Sequence, residues 1–86
     1  MNRDLGSANV EFLFTELETG LTFARLASAA KDNPTKVERN TRNARKAYDS
    51  LLHFQERVSL SPEAKVKFEA GKDELRDSLR LLGEKV

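Results

Sequence analysis

Two prolines, each preceded by a residue that can cap a helix, divide the chain into three segments. Asn33 precedes Pro34, and Ser61 precedes Pro62. An Asn or Ser side chain can accept a hydrogen bond from a free N–H of the first helical turn. Proline suits the first helical position because the N–H that it lacks would have no partner there. Each pair therefore predicts the start of a helix and the end of the segment before it.

Within each segment, apolar side chains recur every three or four residues, which is the period of an amphipathic helix. With Ser7 as the first cap, the pattern predicts helices at about residues 7–31, 34–58 and 62–84. The connections are only a few residues long, so neighbouring helices have to run antiparallel. We therefore expect an all-α fold, an up-down-up three-helix bundle. Residues 1–86 would form one domain, with residues 1–6 as a flexible N-terminal segment.

The first helix is unusual because it carries two apolar stripes. One stripe is the natural core face and consists of Val10, Leu13, Phe14, Leu17, Leu21 and Ala24. The second stripe, which we call the outer row, is predicted on the opposite side and consists of Phe12, Glu16, Thr19, Phe23, Leu26 and Ala30. Its spacing alternates between four and three residues, as in a heptad. Leaving a large apolar side chain in water forgoes about 1.5–3 kcal/mol, so something should cover this row.

A second copy of the chain or a helix of another protein would cover the outer row, and this is the interpretation that we favour. It predicts a non-enzymatic protein–protein interaction or oligomerisation module, most simply a homodimer. The charges between Asp4 and Ala24 are all acidic, whereas residues 36–46 carry five basic side chains and one acidic one. An antiparallel dimer would bring these opposite charges together. The other possibility is that the first helix sits centrally in the bundle, or that residues 1–6 fold back over Phe12.

The second helix suggests an alternative function through its solvent side. Arg39, Arg42, Lys46 and Arg57, which we call the basic stripe, extend over about 27 Å at 1.5 Å per residue. Such a stripe can follow phosphates, as in an anion-binding or nucleic-acid-binding module. Glu38 partly neutralises it, and no aromatic residue alternates with the arginines to stack on bases. Nucleic acid is therefore the less favoured partner.

His53 is the only histidine, and its exposed position gives a third alternative, phosphotransfer. Phosphotransfer domains present an exposed His on a helix, but they place a Lys and a Gly just after it and use four helices. The sequence here is HFQER, which departs from that pattern. A lone His with Asp49 and Glu56 also supplies too few ligands for a metal. We therefore expect no catalytic residue, no metal, no cofactor and no small-molecule substrate, and little room for a pocket in so small a bundle.

Composition limits the cellular compartments in which we expect the protein. The 86 residues include no Cys, so a disulfide-stabilised extracellular scaffold is not expected. The N-terminus lacks the apolar region of a signal peptide, and Glu11, Glu16 and Arg25 interrupt the most apolar stretch. The sequence therefore predicts a cytoplasmic protein without a membrane span. The net charge of +1, with 34% charged residues, requires any attraction to nucleic acid to be local.

Overall fold

A computed structural model describes the backbone of residues 2–86 and the side chains of residues 9–86. Its three helices are α1 (Asn2–Ala29), α2 (Pro34–Gln55) and α3 (Pro62–Leu81). All three pack against one another, which confirms the all-α three-helix bundle. Because α1 begins at Asn2, the predicted start near residue 7 is wrong, and residues 2–6 belong to this helix. Met1 and the side chains of residues 2–8 lie outside the described part of the chain.

The predicted starts of α2 and α3 are confirmed by their hydrogen bonds. The Lys36 N–H donates to Asn33 Oδ1 over 3.1 Å, and the Ala64 N–H donates to Ser61 Oγ over 3.2 Å. Pro34 occupies the first position of α2 in the same way that Pro62 does in α3. These starts depend on the local sequence alone, which is why the sequence predicts them well.

All three helices end earlier than predicted, and α1 ends at Ala29 instead of residue 31. α2 ends at Gln55 instead of residue 58, and α3 ends at Leu81 instead of residue 84. After α3 the backbone of Gly83 has a φ of 95°, a left-handed conformation that favours glycine. The Gly83 N–H donates to the Arg80 carbonyl and the Glu84 N–H to the Leu79 carbonyl. This is a Schellman motif, and it turns the chain sharply after α3.

The position of α1 explains why it carries two apolar stripes. This helix packs most extensively against α2 and also against α3, whereas α2 and α3 contact each other least. On one flank of α1, Phe14 packs edge-on against Phe68 of α3, with ring centroids 5.8 Å apart. On the other flank, Phe12 packs edge-on against Phe54 of α2 at 5.0 Å. α1 is thus the central helix, and each stripe lies towards a different neighbour.

Glycines allow the helices to approach closely at two points. A Cβ atom added at Gly20 in α1 would lie 2.6 Å from Leu75 Cδ2 in α3. A Cβ added at Gly71 in α3 would lie 2.6 Å from Leu17 Cδ2 in α1. Both leucines are buried in the core, so neither has free space to move into. The α1–α3 contact therefore requires a residue without a side chain at both positions.

Candidate interaction surfaces

The outer row borders α2 instead of facing directly away from the rest of the bundle. Phe23 packs against the hydrophobic core, and Phe12 contacts Phe54, so the prediction that this row lies opposite the core is wrong in part. The chain nevertheless covers the row incompletely. Phe12 remains 43% exposed and Leu26 48% exposed. The other four members, Glu16, Thr19, Phe23 and Ala30, are half-buried.

The two ends of the outer row differ in charge. At the C-terminal end of α1, Leu26 and Ala30 line a surface cavity of about 440 Å³ together with Lys36 and Arg39. The acidic side chain of the row, Glu16, lies ten residues earlier in the same helix, between Phe12 and Thr19. The row is therefore an apolar surface with the carboxylate of Glu16 towards one end. At the other end lie two cations beside the carboxylate of Asp32, which lines the same cavity.

Arg39, Arg42 and Lys46 of the basic stripe lie on the outer side of α2, whereas Arg57 follows the end of this helix at Gln55, so the prediction that one helix carries all four is wrong. All four side chains are exposed. Arg42 donates to Glu38 over 2.8 Å, while Arg39, Lys46 and Arg57 have no ion-pair partner among the described residues. Glu38 therefore offsets one of the four positive charges, and the other three keep the stripe basic. Phosphate or nucleic-acid binding at the stripe stays a prediction.

His53, the residue behind the phosphotransfer hypothesis, is exposed on the same helix. Its ring lies edge-on to Phe54 with centroids 5.2 Å apart. Among the described residues, no group of three or more His, Cys, Asp or Glu side chains has a geometry that could hold a metal ion. The described helices also include none with the length and hydropathy needed to cross a membrane.

A second surface, a cleft that the sequence did not predict, lies on the flank of α2 away from the outer row and includes Arg42 and Lys46 of the basic stripe. Here α2 meets the end of α1 and the turn after α3, and together they form a cleft of about 600 Å³. We call it the basic cleft; its walls consist of Lys31, Pro34, Val37, Glu38, Thr41, Arg42, Arg45, Lys46, Leu82 and Glu84. The expectation that so small a bundle has little room for a pocket is therefore wrong.

Arg45 holds the wall of the basic cleft together. Its Nε donates to Asp49 Oδ1 over 3.1 Å, and its Nη1 donates to Glu84 Oε1 over 3.0 Å. The hydrogen bonds that Arg45 donates to Asp49 and to Glu84 raise the pKa of Arg45 above its usual range. The contact with Glu84 joins residues 39 positions apart in the sequence, so the periodicity of one helix gives no signal of it.

Thr41 is the unusual polar residue of the basic cleft. It is buried in α2, and its hydroxyl oxygen has no hydrogen-bond partner within the described residues. Buried hydroxyl groups are normally paired, so this unpaired one is expected to lower the stability of the fold.

In comparisons with known proteins, no family model, curated protein or solved structure matches the chain. The function therefore has to be argued from the surfaces of the fold itself.

Proposed function

We propose that the protein is a non-enzymatic helix–helix interaction module that forms a homodimer through the outer row of α1 and the adjoining flank of α2. The observation that carries this proposal is the exposure of two large apolar side chains, Phe12 and Leu26, on one face of the central helix. Half-buried Phe23 lies between them in the row. Glu16 and Thr19 separate Phe12 from this part of the row, and exposed apolar side chains rimmed by polar ones are a feature of protein interaction sites.

Charge supports a second copy of the same chain as the occupant of this surface. A two-fold axis across the middle of the outer row, near Thr19 and Phe23, would bring Glu16 of each copy towards Lys36 and Arg39 of the other. A two-fold interface requires such self-complementarity, because each contact occurs twice. A partner of a different sequence would need the same charge order to fit.

The size of the surface indicates how stable the dimer should be. From Phe12 to Ala30 the row extends over about 27 Å, and two adjacent helices are about 20 Å wide. The surface then covers about 500 Å² on each copy, which lies at the low end of specific interfaces. We therefore expect a reversible dimer that dissociates on dilution, instead of an obligate one.

Leu26→Glu tests the apolar part of the proposed interface. Leu26 is about half exposed, and Glu is a good helix former, so the bundle should keep its fold while the dimer dissociates. The matched control is Leu81→Glu, which introduces the same charge at an exposed position of α3 away from the row. Sedimentation equilibrium, at concentrations at which the unmodified protein is a dimer, should give a monomer for the first variant and a dimer for the second. A Leu26→Glu protein that remains a dimer would contradict the proposal.

Reversal of charge separates a homodimer from a complex with another protein. Glu16→Lys and Arg39→Glu should each weaken self-association, because each places like charges opposite one another in the dimer. The double variant should recover much of the lost affinity, since opposite charges again face each other across the interface, with their positions exchanged. Additive losses in the double variant would argue against the two-fold arrangement.

A further inference from the structure

We propose that the basic cleft binds a small amphipathic anion, a molecule that joins a carboxylate or phosphate group to an apolar, acyl-like body. The cleft has a volume of about 600 Å³. Pockets for small ligands usually measure about 300–1,000 Å³ and combine apolar walls with a few polar groups. This site lies on the flank of α2 away from the outer row, so it is independent of the proposed dimer.

The anionic group of the ligand is selected by cations that the chain itself does not neutralise. Four basic side chains line the cleft, but Arg42 is paired with Glu38, and Arg45 with Asp49 and Glu84. The other two, Lys31 and Lys46, have no ion-pair partner in the part of the chain that the structure describes. An ammonium group is a compact charge that binds carboxylates and phosphates alike.

Thr41 lines the same wall, but its hydroxyl oxygen is buried beneath the surface of the cleft and is not accessible from it. The cleft therefore selects the anionic group through Lys31 and Lys46 and not through this hydroxyl.

The apolar body of the ligand is selected by the surface next to the cations. Val37 and Leu82 line the basic cleft and also a neighbouring cavity of about 520 Å³, which Lys31 borders as well. Leu81, which is 90% exposed, extends this second cavity. Together the two cavities present charge and apolar surface side by side, which suits an amphipathic ligand better than the phosphates of a nucleic acid.

Titration of the full chain, followed by the chemical shifts of its backbone amides, tests the inference. The probes are decanoate and decyl phosphate below their micelle concentrations. Acetate and inorganic phosphate are controls that carry only the anionic group, and decanol is a control that carries only the apolar chain. We expect saturable shifts centred on Val37, Thr41 and Leu82 with the two amphipathic probes, and binding at least tenfold weaker with each control. A stronger response to one amphipathic probe identifies the carboxylate or the phosphate as the preferred group.

A pair of double variants separates the proposed site from general attraction to positive charge. Lys31→Gln with Lys46→Gln should lower the affinity for decanoate about tenfold, which corresponds to 1.4 kcal/mol. The matched control, Arg57→Gln with Lys67→Gln, removes the same charge from exposed positions outside both the cleft and the outer row, and should change the affinity less than twofold. Equal losses in the two variants would overturn the inference, and so would the absence of saturable binding at millimolar probe. Shifts centred on Phe12 and Leu26 would overturn it too, because they would report only adhesion to the outer row.

Discussion

Replacing Thr41 by Val should make the protein more stable. Thr41 is 7% exposed, and its oxygen has no partner among the described residues. A buried hydroxyl without a hydrogen bond costs about 1–3 kcal/mol. Val has the same branched shape, and its helix propensity is close to that of Thr, so the substitution changes little else. We expect the free energy of unfolding to rise by about 1–2 kcal/mol.

Urea denaturation followed by circular dichroism measures this difference. The midpoint should move to higher urea while the slope stays unchanged, because the surface exposed on unfolding is nearly the same. In a thermal scan, a gain of 1 kcal/mol raises Tm by about 4–8 °C for a domain of this size. All samples need the same protein concentration, because self-association would itself raise the apparent stability.

Thr22→Val is the matched control, since Thr22 lies exposed within α1. Its hydroxyl is already in contact with water, so the free energy of unfolding should change by less than about 0.5 kcal/mol. A Thr41→Val protein that loses 1 kcal/mol or more would refute the reasoning. That result would mean that the hydroxyl forms a stabilising hydrogen bond, for example to the Val37 carbonyl one turn earlier.

Three further substitutions test the packing and the helix ends, each by urea denaturation. Gly20→Ala gains about 1 kcal/mol of helix propensity, but it places a methyl group against buried Leu75, which costs about 1–3 kcal/mol. We therefore expect a net loss of stability, and a net gain would contradict the close contact. Gly83→Ala should cost about 1–2 kcal/mol, because a side chain disfavours its left-handed backbone. Ser61→Ala should cost about 1 kcal/mol by removing the cap of α3, whereas the neighbouring exposed Ser59→Ala should cost little.

How far the sequence predicts the fold depends on how local the determining interactions are. The caps at Asn33 and Ser61 involve residues three positions apart, and the sequence predicts them correctly. The sequence also contains a signal for the end of α3, since a glycine just after the last helical residues is a typical helix stop. The prediction of residue 84 missed it because the apolar period continues through Leu82 to Val86.

The two stripes of α1 illustrate what periodicity leaves open. The positions of Phe12 and Phe23 on a helical projection indicate that a second face is apolar, but not whether a neighbouring helix lies beside it. In the structure α2 covers part of that face with Phe54 and leaves Leu26 and much of Phe12 exposed. The central position of α1 was one of the two possibilities that the sequence left open.

The basic cleft lay beyond sequence reasoning for a different reason. It depends on the turn at Gly83, which precedes Glu84 in a segment that reaches Arg45 of α2. The same basic residues looked like parts of one solvated helix face when α2 was considered alone. Only the packing of the C-terminal turn against α2 divides them, with Arg39 and Arg57 outside the cleft and Arg42, Arg45 and Lys46 within it.

The central claim is that the outer row joins two copies of the chain, and sedimentation equilibrium of the unmodified protein tests it most directly. The solution mass should be measured over a hundredfold range of concentration, from a few micromolar upwards. We predict a mass that rises from the 9.7 kDa of the monomer towards twice that value as the concentration increases. A mass that stays at the monomer value throughout the range would contradict the claim.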